Sequence, residues 1–574
     1  MTSRPPALAP AQSSVPHRLD AGLWFAFCLL ALFAIPIGFV SNDGLGHSRS
    51  FASGEWPLNP NHLLFEPLGA GWQSLWARLA PGRAGVDALK LLSALAGAAA
   101  VALFRLRVVP LVPLLVEKGG RSGRIEQLEP DGSRWRANYA TAWVGLSSAF
   151  LRLWVSDEIH MIQMPFVIGL AGEALRLLAV PSWRGGLRAG VAAGLATLAF
   201  ISNALLAVSL ALSIVLFRPA AGGRRPAHLA VAGLAVAALL VTLPVFLFAA
   251  GRAVGERGAV AGTGGTLAWL SHGRLGGDGA LARGESGYGL ELGPRGLGEA
   301  LLRAGYGAAS ALVDLQPLAA AVRDRERPTW AAILGGLACL AGAAVMLRGV
   351  VCCLEARSSS PLRRVGLLAF VWGLPILGFG VLWNNSDDQF YFQLAPIFGL
   401  LAAISVPSTS RRKLWLLLGL GALFFNLADV TARRILYPRA ERIAELSAAT
   451  DGACLVVVPG FDEAELVLRL APQAAAPPRL SIVDLATRWP PEEGLAQLER
   501  RISDCILGGR SGQRGHAAGR VVFVDLFDTP PARNPWKYLR RLGYSHGEVL
   551  SRLEPVARAS PTVRTGPFLL RSIP

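Results

Sequence analysis

The sequence predicts a polytopic α-helical membrane protein of about eleven spans, followed by a small extracytoplasmic α/β domain. Three observations predict this fold class. Hydrophobic residues make up 52% of the 574 residues and charged residues only 17%, whereas soluble domains carry about 25% charged residues. The apolar residues are gathered into runs long enough to cross roughly 30 Å of hydrocarbon. From about residue 435 the composition changes to that of a soluble domain.

The chain begins with a Pro-rich segment, 1–21, that is predicted to be disordered and cytoplasmic. The run at 22–40 is not followed by a small-residue cleavage site, so we interpret it as a retained span rather than a signal peptide. Eleven apolar runs are predicted to cross the membrane, within a domain covering residues 22–434: 22–40, 88–106, 138–155, 161–180, 187–203, 204–217, 229–250, 329–350, 365–383, 391–408 and 414–430. The fifth and sixth form a tight hairpin that pivots near Asn203.

Charge alternates between successive loops. One set of loops is rich in Arg and Lys: Arg105, Arg107, Lys118, Arg121, Arg124, Arg134, Arg136, Arg184, Arg188, Arg218, Arg224, Arg225, Arg357, Arg363, Arg364, Arg411, Arg412 and Lys413. The loops 156–160 and 384–390 contain four carboxylates and neither Arg nor Lys. Because short basic loops stay in the cytoplasm, the N-terminus is predicted inside and the C-terminal domain outside a cytoplasmic (inner) membrane.

The net charge of +17 would suggest nucleic-acid binding in a soluble protein. Here the arginines flank apolar runs, where they act as topology signals and meet anionic headgroups, so nucleic acid is excluded as a partner. Two long outer loops are predicted, at 41–87 and 251–328. The second carries many arginines, but the charge rule weakens for loops beyond about 60 residues. Its stretch 297–322 is predicted to be an interfacial or re-entrant helix.

The C-terminal domain, 435–574, is predicted to be extracytoplasmic. Short β-branched runs at 454–459, 480–485 and 521–527 predict buried strands, and helical stretches at 463–470 and 492–507 separate them. Strands that alternate with helices indicate a small α/β domain, for which a role in substrate access or assembly is favoured over chemistry. Cys454 and Cys505 are able to pair if this domain lies outside the cytoplasm; the sequence leaves the bond open.

Two candidate sites lie in the first outer loop. Asp43 and His47 stand four residues apart just after the first span, and ionisable groups at the membrane boundary are candidates for function. The alternative is a polar turn. His62 and Glu66 share one helical face by their spacing. Their apolar and Trp neighbours predict an interfacial helix, in which Glu66 alone is a snorkelling group and His62 a binder of donor or acceptor.

Two further outer clusters contain carboxylates. Asp157, Glu158 and His160 stand between two spans with almost no loop, where they would hold a divalent cation or orient a phosphate-linked donor through one; the alternative is a solvated cap on a helical hairpin. Asp387 and Asp388 either face the cavity or are solvated loop residues, and the second interpretation is favoured.

The chain resembles the GT-C superfamily of polyprenyl-phosphate-dependent glycosyltransferases. The resemblance rests on Asp43 with His47, on the cluster from Asp157 to His160, and on the layout of the chain. Protein O-mannosyltransferases and aminoarabinose transferases belong to this superfamily. The resemblance covers an inside N-terminus, an acidic first outer loop, about eleven spans and an outer C-terminal domain. That family often pairs its first carboxylate with another. Here Asp43 is followed by Gly44, so the paired form is absent and a divalent cation is not a certain cofactor.

The resemblance implies transfer of a hexose or pentose from a polyprenyl-phosphate-sugar donor to a lipid, glycan or protein acceptor at the outer face, with inversion. Asp43 would then act as general base on the acceptor hydroxyl, and Arg152 or arginines of the 251–328 loop would neutralise the departing phosphate. The alternatives are a lipid or glycan transporter or flippase, and a non-catalytic protein of envelope assembly. No inverted repeat of the kind found in many transporters is detected.

Overall fold

A computed structural model describes the fold over most of the chain. The described residues are 14–34, 47–48, 51, 62–81, 85–111, 130–156, 159–216, 224–257, 294–315, 318, 329–356, 361–382, 390–407, 411–433, 440–460, 479–486, 489–510, 520–527, 536, 539–540, 543–557, 562–565 and 568–573. The chain divides into two compact units, Met1–Ile435 and Leu436–Pro574.

The first unit is built from helices. They are α1 (Ser14–Ala34), α2 (Phe65–Leu79), α3 (Gly85–Arg107), α4 (Pro130–Leu146), α5 (Ser148–Trp154), α6 (Met164–Ala179), α7 (Trp183–Ala199), α8 (Ala204–Leu216), α9 (Arg224–Arg257), α10 (Pro294–Leu312), α11 (Thr329–Glu355), α12 (Pro361–Leu382), α13 (Ala395–Ser405) and α14 (Arg412–Arg433). Short 3-10 turns at Ile159–Gln163, Ile201–Asn203 and Phe392–Leu394 lead into α6, α8 and α13.

Helices occupy all or most of each predicted span. Within the described residues, six are long and apolar enough to cross a membrane: Asp87–Leu111, His160–Ala179, Arg224–Gly251, Ala332–Glu355, Leu362–Val381 and Arg412–Val430. Two shorter apolar helices, Ile201–Leu216 and Phe392–Ser405, accompany them. The structure therefore confirms a helical, membrane-type unit, and the number of eleven crossings stays a prediction.

Two helices differ from their predicted bounds. The first begins at Ser14 rather than at residue 22, so the predicted disorder of 1–21 is wrong from Ser14 onward. An ion pair between Asp20 and the buried Arg105 of α3 holds this extension in place. The predicted span 138–155 is interrupted at Ser147, whose extended backbone (ψ 143°) separates α4 from α5.

Glycines bring α7 and α9 into close contact. Gly186, Gly190 and Gly194 recur every four residues on α7, and a Cβ at the first two would collide with the carbonyls of Ala230 and Leu234. Small residues at this spacing let the backbones of membrane helices approach closely. The pair is therefore held by backbone packing that admits no larger side chain.

Arginines of the predicted inner loops bind the carboxyl ends of neighbouring helices. Arg364 donates to the carbonyl of Leu178 at 3.1 Å, and Arg136 donates to that of Val406 at 3.2 Å. Arg412 lies over the ring of Trp135 at 4.2 Å. Cations are favourable at helix C-termini because the last carbonyls carry partial negative charge, so these contacts suit the basic side of the bundle.

The second unit is a five-stranded sheet with helices. Its elements are α15 (Ala440–Thr450), β1 (Leu455–Val458), β2 (Arg479–Ser481), α16 (Ile482–Ala486), α17 (Pro491–Arg510), β3 (Val521–Val524), α18 (His546–Ala557), β4 (Thr562–Thr565) and β5 (Phe568–Ile573). The strand order is β2-β1-β3-β5-β4. The first three strands are parallel, with Val456 opposite Val522, and β5 is antiparallel to β3.

A disulfide between Cys454 and Cys505 joins the start of β1 to α17, with the Cα atoms 5.8 Å apart. It resolves the pairing that the sequence leaves open. The predicted strand 480–485 is wrong after Ser481, because Ile482–Ala486 forms a helix whose apolar side chains are buried in the same core. The predicted helix 463–470 lies outside the described residues.

Candidate functional site

Five of the eight predicted site residues lie in the described part of the chain: His47, His62, Glu66, Arg152 and His160. The other three are carboxylates, and they lie outside it, as do Asp387 and Asp388. These three are Asp43, Asp157 and Glu158. Their proposed roles are therefore predictions from the sequence.

The first outer loop contributes helix α2, as predicted for its apolar and Trp residues. Trp72 Nε1 donates to the carbonyl of Ala88 at 2.7 Å, which fixes α2 against α3. His47 is half-buried, and its ring lies edge-on to Phe65, with centroids 5.0 Å apart. Phe65 in turn packs with Leu89 and Ile162. The first outer loop is thus packed against the segment that carries the second predicted cluster.

His62 lies at the start of α2 and is buried, with 4% of its surface exposed. Its Nδ1 lies 3.4 Å from the carbonyl oxygen of Ala199. Because a carbonyl only accepts, Nδ1 carries the hydrogen. The backbone N–H of Leu64 donates to Leu198 at 2.8 Å, so the loop is tied at two points to the end of α7.

Three aromatic rings form one layer beside His62. The ring centroid of His160 lies 5.0 Å from that of Phe200 and 6.3 Å from that of Phe390. Those of Phe200 and Phe390 are 6.1 Å apart, and we call these three residues the aromatic layer. The ring of His62 stacks on Phe200 at 5.2 Å and lies edge-on to His160 at 5.3 Å. The predicted outer clusters around His62, His160 and Phe390 therefore meet at one place.

Three amide side chains form a second layer, which we call the amide layer: Gln163, Asn203 and Gln393. Each stands three residues after a member of the aromatic layer, at the 3-10 turns that precede α6, α8 and α13. Residues three apart eclipse in a 3-10 turn, so Gln163 lies under His160. Phe200 and Phe390 precede the turns that contain Asn203 and Gln393. Both Asn203 Nδ2 and Gln393 Nε2 donate to Gln163 Oε1, at 2.6 and 3.0 Å.

Two buried atoms of the amide layer lack a hydrogen-bond partner: Gln163 Nε2 and Asn203 Oδ1. Both residues have 0% exposure. Asn203 Nδ2 is already bonded to Gln163 and to the carbonyl of Ala196, at 2.6 and 2.8 Å. The assignment of N and O follows from these bonds, because only an oxygen accepts twice and only an NH₂ donates twice. An unpaired buried polar atom costs about 1–3 kcal/mol.

Charged side chains are fully or partly buried in the same unit. Glu66 is fully buried and Lys90 has 7% exposure. They directly follow Phe65 and Leu89, which pack together with Ile162. Arg152, on α5, is half-buried. Burial of a charge in an apolar bundle is expensive and is typically found where a ligand or a partner charge is bound.

A metal centre is not formed by the described residues, since no three His, Cys, Asp or Glu side chains among them are grouped to hold an ion. The predicted ligands Asp157 and Glu158 lie outside that part of the chain. A divalent cation at this cluster therefore stays a prediction.

Sequence reasoning missed Lys90, Gln163 and Gln393, and named Asn203 only as the pivot of a hairpin. One signal was present for the amides: an aromatic residue followed three positions later by an amide, at 160–163, 200–203 and 390–393. The repeat lies at the start of three apolar runs, where a buried amide is unexpected.

The chain is similar in structure to solved membrane glycosyltransferases. ArnT from Cupriavidus metallidurans bound to undecaprenyl phosphate matches with a TM-score of 0.53 and 13% identity, over 97% of this chain and 98% of that one. Its apo state matches with a TM-score of 0.52, 12% identity and the same coverage. AglB, the oligosaccharyltransferase of Archaeoglobus fulgidus in complex with an inhibitory peptide and a dolichol-phosphate, matches at 0.50 with 14% identity, over 96% and 74%. No protein-family model and no curated protein matches the sequence.

These likenesses show that the chain has the fold of ArnT and AglB. They confirm the predicted membrane-type helical architecture, and the number of eleven spans stays a prediction. The match to ArnT extends over almost the whole of both chains, so it includes the helical unit and the C-terminal α/β unit.

Proposed function

We propose that this protein is a membrane glycosyltransferase. It moves a sugar from a polyprenyl-phosphate-linked donor to a lipid, glycan or protein acceptor at the outer face of the cytoplasmic membrane, with Asp43 as general base. The observation that carries the proposal is the meeting of the first and second outer clusters through His62 and His160, whose ring centroids are 5.3 Å apart. The fold supports it, because ArnT binds undecaprenyl phosphate and AglB a dolichol-phosphate.

The buried charges suit such a donor. A polyprenyl phosphate combines an apolar tail with an anionic headgroup, so its site needs a cation at the membrane boundary. Lys90 is buried near the first residues of α3, and Arg152 is half-buried near the end of α5. Both belong to helix ends that the predicted topology assigns to the outer side. We assign the phosphate to this pair of cations.

The reaction is a single displacement at the anomeric carbon. Asp43 takes the proton of the acceptor hydroxyl as its oxygen forms the new bond to that carbon. The bond between the anomeric carbon and the phosphate oxygen breaks, and its electron pair leaves with the polyprenyl phosphate. The departing phosphate gains negative charge, which the cations stabilise without a general acid. Attack opposite the leaving group inverts the anomeric centre.

The proposal is tested by measuring whether the polyprenyl-phosphate sugar accumulates when transfer stops. Cells lacking the protein, and cells carrying Asp43→Asn, are expected to accumulate the same polyprenyl-phosphate sugar and to lack the same glycan in mass spectra of lipid and envelope extracts. The matched control is Asp504→Asn, an exposed carboxylate of the C-terminal unit, which should behave as wild type. Normal sugar transfer by the Asp43→Asn protein would exclude this mechanism.

The same experiment separates the alternatives. If the protein is a flippase, the donor stays on the inner leaflet in the deletion strain. Asp43→Asn would then lower the transport of the donor and not the transfer of the sugar. A non-catalytic assembly protein would lose its glycan without donor accumulation, and Asp43→Asn would leave it intact.

A further inference from the structure

The strongest unexplained feature is the amide layer, whose members each follow a member of the aromatic layer by three residues. Its members come from three separate segments of the chain, and each is buried: Gln163 and Asn203 at 0% and Gln393 at 2%. Ser202 accepts a hydrogen bond from Gln393 Nε2 at 3.2 Å and extends the network. Most of the hydrogen-bonding capacity is satisfied internally, and two atoms are left over.

The two remaining atoms are complementary to a hydroxyl group. Gln163 Nε2 is a donor and Asn203 Oδ1 is an acceptor, and both are buried without a partner. They belong to two side chains that are joined by a 2.6 Å hydrogen bond, so the two free atoms lie on directly adjacent amides. A hydroxyl accepts through its oxygen and donates its hydrogen, so it satisfies both atoms at once. An anion satisfies only the first and is repelled by the second.

A second buried amide in the same unit shows that this arrangement is not general. Asn426 has 0% exposure, and its Nδ2 donates to Leu146 and Leu312, each at 2.9 Å. Its Oδ1 accepts from the backbone N–H of Asp314 at 3.2 Å. All of its capacity is thus used to join helices. The amide layer differs because one amide nitrogen, Gln163 Nε2, and one amide oxygen, Asn203 Oδ1, have no hydrogen-bond partner.

We infer that Gln163 and Asn203 bind one hydroxyl of the transferred sugar. The inference rests on the proposed function, and it assigns to this pair the recognition of the sugar rather than of the carrier. The aromatic layer supports it, because carbohydrate rings present C–H faces that pack on aromatic side chains, and His160 and Phe200 stand three residues before the two amides. These residues determine specificity; the acid–base step belongs to Asp43.

The test uses the full chain in lipid nanodiscs with farnesyl phosphate and a panel of farnesyl-phosphate hexoses and pentoses as probes. The measured quantity is the ratio of the Kd of plain farnesyl phosphate to that of each glycosylated probe. For wild type, at least one probe should bind more tightly than the plain carrier. Gln163→Met should lower that ratio by about three- to tenfold, the value of one neutral hydrogen bond, with the Kd of the plain carrier unchanged.

Two further variants control the result. Gln163→Leu removes the same Nε2 donor with a differently shaped apolar side chain, so it should lower the ratio even if Gln163→Met fails to fold. Asn426→Leu removes an equally buried amide and should leave the ratio unchanged. An unchanged ratio in the folded Gln163 variants would mean that the pair holds only a water molecule, and would overturn the inference. Wild-type binding of carriers without preference for any sugar would overturn it as well, while leaving the proposed function intact. Failure of wild type to bind farnesyl phosphate at all would overturn both.

Discussion

His62 and His160 lie in edge-to-face contact, with their ring centroids 5.3 Å apart, although helices α2 to α5 separate them along the chain. Both are buried, and both pack on Phe200 at the end of α7. The predicted first outer loop and the predicted second outer turn therefore meet at these two rings.

Replacement of either histidine by Ala is therefore expected to lower sugar transfer by roughly ten- to a hundredfold, the value of a lost hydrogen bond to a charged group. His228→Ala is the control, because His228 is exposed on α9 and lies far along the chain from the site. Transfer is measured as glycan produced per amount of folded protein in the membrane. Equal activity of all three variants would remove the histidines from the site.

Lys90 provides a separate test of carrier binding. Lys90→Met keeps the length and apolar stem of the side chain but removes its charge. We expect the affinity for farnesyl phosphate to fall by roughly ten- to a hundredfold, because a charge-assisted hydrogen bond to phosphate is lost. Lys413→Met, an exposed lysine at the start of α14, should bind as wild type. The affinities are compared in nanodiscs at low and high salt, and an unchanged affinity for the Lys90 variant would exclude it as the phosphate ligand.

The helical unit was predictable because its signals are local. Apolar runs of the right length predicted the helices, whereas the orientation indicated by the loop charges stays a prediction. The hairpin at Asn203 and helix α2 also follow from short-range pattern. The helix predicted at 297–322 is found as α10, but the prediction is wrong for 313–315, since α10 ends at Leu312. The β5 strand was missed because it is defined by its pairing with β3, which is distant in the sequence.

The site was only partly predictable because its key contacts join distant segments. His62 and His160 were singled out as polar groups near the membrane, but their meeting depends on the fold. Gln163 and Gln393 stand at the start of apolar runs, and no local pattern shows that the two amides bond to each other. They are 230 positions apart and meet only in the fold, through a 3.0 Å hydrogen bond.

A Gly-to-Ala substitution on the glycine face of α7 is expected to destabilise the protein, whereas one at an open position is not. Gly190→Ala places a Cβ against the backbone of Leu234, so α7 and α9 must separate, and we expect a loss of about 1–3 kcal/mol in the free energy of unfolding. Gly336→Ala on α11 is the matched control, because nothing lies within 4 Å of its Cβ position. It should be neutral or stabilising by up to about 1 kcal/mol, since Ala is the better helix former. Thermal unfolding in detergent compares the two. A Gly190→Ala protein as stable as the control would show that the helices are not packed through this face.

The disulfide between Cys454 and Cys505 predicts both stability and location. It closes a loop with a sequence separation of 51 residues, so its removal in Cys454→Ser should cost about 2–4 kcal/mol in the unfolding of the C-terminal unit. Such bonds persist outside the reducing cytoplasm. In intact cells, a membrane-impermeant thiol reagent should label Cys505 of the Cys454→Ser variant and should not label wild type before reduction. Labelling only after the cells are broken would put the unit inside and contradict the proposed topology.

Tyr544 makes the stability of the C-terminal unit depend on pH in the alkaline range. Burial, with a smaller contribution from Glu493, raises the pKa of its phenol from 10.0 to about 12. The phenol lies 3.0 Å from the carbonyl of Trp489 and 3.2 Å from that of Pro490, to which it donates at the start of α17.

Because the pKa in the folded state exceeds that of the unfolded state, this stabilisation is complete below pH 10 and is lost as the pH rises through 12. Tyr544→Phe should destabilise the unit by about 1 kcal/mol at neutral pH, through the lost hydrogen bond, and should remove this part of the alkaline loss. The difference in tyrosinate absorbance between wild type and Tyr544→Phe isolates one of the seven tyrosines. A difference titration centred near 10 would show that the phenol is exposed, contrary to its packing against α17.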